Sequence, residues 1–160
     1  MVILGIDPAI NTTGYGVIDF GKNSLRLLEA GVITTSGKND IASRLGKIYS
    51  EVSALIKETN PKIMVLEKIY SHYQYPTISY MLGQARGVIC LACSTCRITM
   101  VEYAATRVKK AIVGNGLASK HQVQHMIANI LGIKDLPKYT DVTDALGLAV
   151  AHCYISKRVL

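Results

Sequence analysis

The sequence predicts an α/β fold, a five-stranded mixed sheet flanked by helices on both faces, on three observations. Strand-type apolar stretches come first and lie close together, and strand and helix patterns alternate after them. The composition, 160 residues of which 49% are apolar and 18% charged, suits a single hydrophobic core. Residues 1–160 are therefore read as one domain.

Residues 2–7 (Val-Ile-Leu-Gly-Ile-Asp) are a short apolar run, and Gly14 to Ile18 and Leu25 to Ile33 give two more, divided by the turn signal Gly21-Lys22-Asn23. Three such runs in succession predict an antiparallel meander. From Ile41, apolar residues recur at Leu45, Ile48, Val52, Leu55 and Ile56, the period of a helix, with Asp40 as its cap and Asn60-Pro61 as its stop. Lys62 to Glu67 reads as a strand covered on both faces. After it come a polar, aromatic loop, a helix from Thr77 to Thr95 and a strand at Ile98 to Val101. Helices over Ser119 to Leu131 and Asp141 to Ser156 close the chain, with breakers at Gly114-Asn115-Gly116 and Leu136-Pro137. Right-handed crossovers would join the parallel strands.

Eighteen Lys and Arg against eleven Asp and Glu leave a net charge of +7. The excess is uneven: residues 81–160 hold ten basic and four acidic side chains, residues 1–80 eight and seven. A compact body with that imbalance points to a polyanion, nucleic acid first. The apolar content excludes disorder, and no run reaches the roughly 20 residues of a spanning helix. The N-terminus shows neither a basic leader nor a cleavage site, so a soluble, cytoplasmic protein with no membrane partner is expected. Cys90, Cys93 and Cys96 have a spacing that suggests iron–sulfur ligation. On a helix, however, steps of three residues advance about 300°, so the sulfurs fan apart and read as packing residues.

Asp7 and Glu67 each end an apolar strand. If those strands are parallel neighbours, about 4.8 Å apart, both acids emerge at the carboxyl edge of the sheet, where open α/β sheets bind ligands. Their charges repel, so one carboxyl takes a proton or a cation sits between them, and oxygen donors of this kind suit magnesium. Asp141 and Asp144 lie three apart at the start of the last helix and share a face. The commoner role for such acids is helix capping. A cap needs only one, however, and the last 80 residues contain only four acids.

Lys109 and Lys110 precede the glycine bend and Lys120 opens the next helix, so these three are candidate phosphate contacts, although any one alone reads as solvated surface. Tyr70, Tyr73, Tyr75 and Tyr80 make the segment after Glu67 more aromatic than a solvated loop needs, and stacking on unpaired bases is the functional reading. Tyr75 and Tyr80 read instead as residues that pack against the following helix or a dimer mate. His121 and His125 are four apart on one helix face, but Gln122 stands where a zinc hydrolase motif has glutamate. His125 and His152 read as structural, hydrogen-bonded side chains and His121 as exposed. The helix from Thr77 is apolar around much of its circumference, which suggests a second subunit.

Several blocks together resemble the RuvC-type Holliday-junction resolvases, crossover junction endodeoxyribonucleases of the RNase H-like superfamily. They are Gly5-Ile6-Asp7-Pro8 with Thr13-Gly14-Tyr15-Gly16-Val17, Glu67, Leu82-Gly83-Gln84-Ala85-Arg86-Gly87, and Val123-Gln124-His125-Met126. The last is Asp141-Val142-Thr143-Asp144-Ala145-Leu146, followed by Ala151-His152-Cys153. The resemblance covers nearly the whole chain. It implies an RNase H-like fold, a homodimer, a bacterial cytoplasmic setting and paired nicks in a four-way DNA junction during recombination and repair. It also implies that Asp7, Glu67, Asp141 and Asp144 are both the catalytic set and the metal ligands. Two Mg2+ ions per site are expected, with Mn2+ able to substitute, one activating the attacking water and the other stabilising the leaving oxygen. The resemblance places an aromatic at Tyr70, the candidate base-contacting wedge, puts basic residues at Lys109 and Lys120, and suggests cooperation with a RuvA-RuvB branch-migration complex.

The family usually has glycine where this chain has Ala9, which bears on the shape of that loop. Three rival readings share some features: another RNase H-like nuclease acting on hybrids or flaps, a non-catalytic junction-binding module, and an actin-like ATPase. The ATPase reading fails on length, since two lobes exceed 160 residues.

Overall fold

The computed structural model describes residues 1–21, 24–69 and 76–157. Its strands are β1 (Val2–Asp7), β2 (Thr12–Phe20), β3 (Leu25–Thr34), β4 (Ile63–Glu67) and β5 (Thr99–Tyr103), and its helices α1 (Ile41–Thr59), α2 (Pro76–Thr95), α3 (Ala105–Val113), α4 (Lys120–Leu131) and α5 (Thr140–Lys157). The strands form one sheet in the order β3-β2-β1-β4-β5. The meander β1-β2-β3 is antiparallel, and β4 and β5 run parallel to β1, so the expected mixed sheet is observed.

Two apolar clusters sandwich the sheet, as helices on both faces require. Ile48, Val52 and Ile56 of α1 and Ile89 of α2 pack on Leu4, Ile6, Met64 and Leu66. On the other face Val108 and Ile112 of α3, Ile127 of α4 and Leu146 and Ala149 of α5 pack on Ile3, Ile18 and Val65. Helix ends fall where local chemistry stops them. Asp40 caps α1, its carboxylate accepting from the Ser43 amide at 2.9 Å, and Asn60, left-handed at φ 46°, ends it before Pro61. Ser119 and Gln122 form a reciprocal capping box at the start of α4, and Gly132, at φ 67°, closes it.

Helix α3 was not expected from the sequence. It is only nine residues long, buries only Val108 and Ile112, and its N-cap is Ala104, which makes no side-chain capping bond. Neither a sustained period nor a cap residue marks it. The cysteines behave as packing residues: Cys93 and Cys153 are buried and all four are free.

Helix α5 lies unusually close to the sheet because three strand glycines leave it room. A β-carbon on Gly5 would fall 2.0 Å from the Ala145 carbonyl oxygen, one on Gly14 2.1 Å from the Asp141 carbonyl oxygen, and one on Gly16 2.5 Å from the Leu146 side chain. Gly5 pairs with Gly16 across β1 and β2, and Gly14 pairs with Asp7, so the three form one contiguous floor. Gly5→Ala is therefore expected to destabilise the chain by at least about 1–3 kcal/mol, the usual cost of overpacking. Gly46→Ala, in an exposed turn of α1 with nothing within 4 Å, should stabilise it by about 0.5–1 kcal/mol. Denaturant unfolding of the two variants checks both signs.

Candidate active site

The two-residue period of a strand sets where Asp7 points. Leu4 and Ile6 pack on the α1–α2 side and Ile3 on the α5 side, so Asp7, in register with Ile3 and Gly5, faces α5. Glu67 belongs to the matching series on β4, since Val65 pairs with Gly5 and also packs on the α5 side. The glycine floor brings the start of α5, with Asp141 in its first turn and Asp144 one turn on, down over these strand ends.

The loop after Asp7 is pinned from three directions. Thr13 Oγ1 donates to the Ala9 carbonyl at 2.6 Å, and Thr35 Oγ1 donates to the Ile10 carbonyl at 2.5 Å. The buried Arg44 of α1 donates to Thr35 Oγ1 at 2.8 Å, to the Ile10 carbonyl at 3.3 Å and to Asn11 Oδ1. Among the described residues, glycines aside, only Asn60 and Arg97 have positive φ. Ala9 therefore sits in ordinary backbone, and this loop does not need glycine's freedom.

Asp7, Glu67 and Asp144 line one cleft of about 320 Å³, together with Lys109, Lys120, Arg86 and an apolar wall that includes Leu82, Val123 and Leu148. Asp141 is not part of that lining, but its charge reaches Asp7. Burial, then the charges of Asp144, Asp141 and Glu67, raise the Asp7 carboxyl to a pKa of about 7. Burial and Asp144 also raise Glu67, against the opposing pull of Lys109, Arg86 and Lys120. Lys120 Nζ donates to Asp144 Oδ2 at 2.6 Å. Partial burial works against the Lys120 ammonium, but the hydrogen bond and charge of Asp144, with Asp7 and Asp141 behind it, hold its pKa above the ordinary value.

Among the described residues no three His, Cys, Asp or Glu side chains converge tightly enough to form a preassembled metal cage. The donor chemistry nonetheless fits a hard divalent cation. Every candidate ligand is a carboxylate oxygen, and burial together with the charges of Asp144, Asp141 and Glu67 raises Asp7 further than Lys120 can lower it.

Arg86 is the site residue the sequence reading missed. Its Nη1 donates to the Glu67 carbonyl at 2.8 Å and its Nη2 pairs with Glu102 of β5, so it fixes the end of β4 beside the cleft. A signal existed: Arg86 is the only charged residue among the 20 of α2. Of the candidate phosphate contacts, Lys109 and Lys120 lie on the cleft, while Lys110 is exposed and outside its lining. Tyr70, Tyr73 and Tyr75 fall outside the described residues. Tyr80 is exposed within the single chain, so it does not pack on its own helix, and its hydroxyl accepts from Gln84 Nε2 at 2.9 Å. His152 is buried and bonded to the Tyr103 hydroxyl at 2.9 Å, as a structural histidine should be. His125 corrects the expectation. It is exposed, because its helix buries Val123, Ile127 and Ala128 instead, and its partner is His121.

In metal-free protein Asp7 titrates near 7 when folded, against 3.8 for the free side chain, so the folded state holds this proton more tightly than the unfolded state. The resulting stability is complete below the unfolded value and is lost as pH rises through about 7. Asp7→Asn should remove this slope. In chelator at about pH 8 the variant should unfold at a higher temperature than the parent, and the gap should shrink toward about pH 4, as measured by calorimetry.

A family model described as Crossover junction endodeoxyribonuclease RuvC matches residues 3–152. The chain is 39% identical over 154 residues to the crossover junction endodeoxyribonuclease RuvC of Rhodopirellula baltica, covering 96% of this chain and 86% of that protein. It is 42% identical over 160 residues to that of Ehrlichia ruminantium, covering 98% of this chain and 99% of the relative. It is also similar to the solved Thermus thermophilus RuvC in complex with Holliday junction substrate, at 31% identity and a TM-score of 0.93, covering 99% of this chain and 96% of that one. The RNase H-like architecture implied by the sequence blocks is thus the fold observed. All four acids lie inside the matched span, and by that match and these relatives the chain belongs to the RuvC family of crossover junction endodeoxyribonucleases.

Proposed function

We propose that this endonuclease resolves four-way (Holliday) DNA junctions by paired, symmetric nicks during homologous recombination and repair, through its single domain and as a homodimer. The observation that carries the reading is the cleft in which Asp7, Glu67 and Asp144 meet Lys109 and Lys120. Acids alone would repel a phosphodiester, and lysines alone would bind it without cutting it. The solved Thermus thermophilus relative, held with Holliday junction substrate, supports the choice of DNA. The family is one of metal-dependent nucleases, and here the ion is taken to be Mg2+, two per cleft, with Mn2+ able to serve instead. Asp7, Glu67, Asp141 and Asp144 are the proposed catalytic ligands.

Divalent cations held by these carboxylates would supply Lewis acidity to the scissile phosphate and make water acidic enough to attack near neutral pH. The chain's own groups do the rest. Arg86 holds the end of β4 so that Glu67 keeps its place. Lys109 and Lys120 offer ammonium groups to the phosphate, and Lys120 must exchange its bond to Asp144 for that contact. Leu82, Val123 and Leu148 keep one wall of the cleft apolar and so strengthen its electrostatics. Lys110 serves the flanking backbone and Tyr70 the unpaired bases at the crossover.

Two symmetric cuts call for two clefts related by a two-fold axis. α2 supports a homodimer, because Ile78 and Leu91 are 64% and 56% exposed and its Gly83 and Gly87 stand against open space. Cooperation with a RuvA-RuvB complex in the bacterial cytoplasm completes the proposal. No helix among the described residues is long and apolar enough to cross a membrane.

An end-labelled mobile junction tests the reading. Symmetric nicks are expected with Mg2+ and none in chelator, while Asp7→Asn should shift the junction in a gel yet leave it uncut. Nicking by that variant near the parental rate, or cleavage of RNA–DNA hybrids in place of junctions, overturns it. Lys109→Ala and Lys120→Ala should each flatten the salt dependence of junction binding by about one unit of log–log slope. Unchanged slopes would remove these lysines from the DNA interface.

A further inference from the structure

A second group of ligating side chains lies outside the cleft. His121 and His125 occupy successive turns of α4, both exposed, with their Nε2 atoms 2.8 Å apart and their ring centroids 4.1 Å apart at 55°. They wall a shallow depression with Val113, Gln122, Met126 and Asn129, which shares no residue with the carboxylate cleft. Neither imidazole joins an ion pair among the described residues.

The helix beneath them is held firmly. Its capping box and its Gly132 stop fix both ends, and Val123, Ile127 and Ala128 are buried, with Ile127 lying over Gly147 of α5. The spacing of the two rings is therefore preset by the helix and does not have to be organised on binding. Two imidazole nitrogens pointed at one position share either a proton or a metal ion. Bonds of about 2.0 Å to a tetrahedral Zn2+ put two nitrogens roughly 3.3 Å apart. Exposed rings reach that separation from 2.8 Å by a small rotation.

We propose that His121 and His125 form a two-imidazole chelate for a borderline divalent transition cation, of the Zn2+, Ni2+ or Cu2+ type. Nitrogen donors favour such ions, whereas the all-carboxylate cleft favours hard cations, so the two sites select different metals. Gln122 occupies the position of the glutamate base in helical zinc hydrolases, so this site holds a cation without acting as a hydrolytic centre. Because the second imidazole binds as an intramolecular event, it raises affinity by roughly 10²–10⁴ over one ring alone.

The whole chain titrated calorimetrically with Zn2+ in excess Mg2+ tests this. One Zn2+ per chain is expected, and His121→Ala and His125→Ala should each weaken it by about a hundredfold or more. Asp7→Asn should bind it unchanged. With Cu2+ as the probe, electron paramagnetic resonance should show two equivalent imidazole nitrogens in the parent and one in either histidine variant. Circular dichroism establishes that the variants are folded. Zn2+ uptake that is absent in the parent, unchanged in both histidine variants, or lost in Asp7→Asn overturns the proposal, the last two because the ion then sits on thiols or carboxylates.

Discussion

The close seating of α5 on β1 and β2 is the constraint on which the rest of the site depends. Gly5, Gly14 and Gly16 remove the β-carbons that would otherwise stand between helix and sheet. The helix backbone then lies directly on the strands, and its first turn overhangs the end of β1. Without that floor, Asp141 and Asp144 would be lifted away from Asp7 and Glu67, and four acids from three elements would stay dispersed. The strand register does the complementary work, since its two-residue alternation turns Asp7 and Glu67 toward the same face. Close helix packing and strand parity together make a charged cleft from residues far apart in sequence.

That cleft is electrostatically poised. Asp7 sits at a pKa of about 7 because burial and three neighbouring carboxylates weigh against its charge. Lys120 offsets part of this by holding Asp144, and Lys109 and Arg86 draw Glu67 the other way. The balance is incomplete and leaves Asp7 well above the ordinary carboxylate range. Around it the net charge of +7 supplies a field that favours a phosphate backbone. Under the proposed function a cation-bound nucleic acid would satisfy the acids and the lysines alike.

Much of this was legible in the sequence, for reasons that can be named. Asp7 and Glu67 stood out because acids rarely end apolar strands, and Asp141 with Asp144 because acids are scarce in the second half of the chain. The meander and the long helices followed from clean periodicity, Asp40 and Asn60 from cap chemistry. What escaped depends on tertiary contact. Helix α3 buries only two side chains and has no polar cap. The burial of Arg44 has no sequence signal, because its partners are a backbone carbonyl, a hydroxyl and a side-chain amide oxygen in distant loops. His125 was expected to be structural, but burial on α4 is set by Val123, Ile127 and Ala128, which leaves the histidine facing outward. Asp141 came nearest to ambiguity. It contributes charge to Asp7 without lining the cleft, a distinction that four acids in a string of letters cannot convey.

The order of elements along the chain has a consequence for synthesis. β1, which carries Asp7, is made well before α5, which carries Asp141 and Asp144, although the two pack against each other. Contacts of such long sequence separation form late, after the intervening loop entropy has been overcome. A nascent chain still lacking α5 leaves Gly5, Gly14 and Gly16 as uncovered strand surface and has only Asp7 and Glu67 of the four candidate site acids. The cleft therefore assembles together with the core, and an unfinished polypeptide emerging near nucleic acid presents no assembled cleft to it.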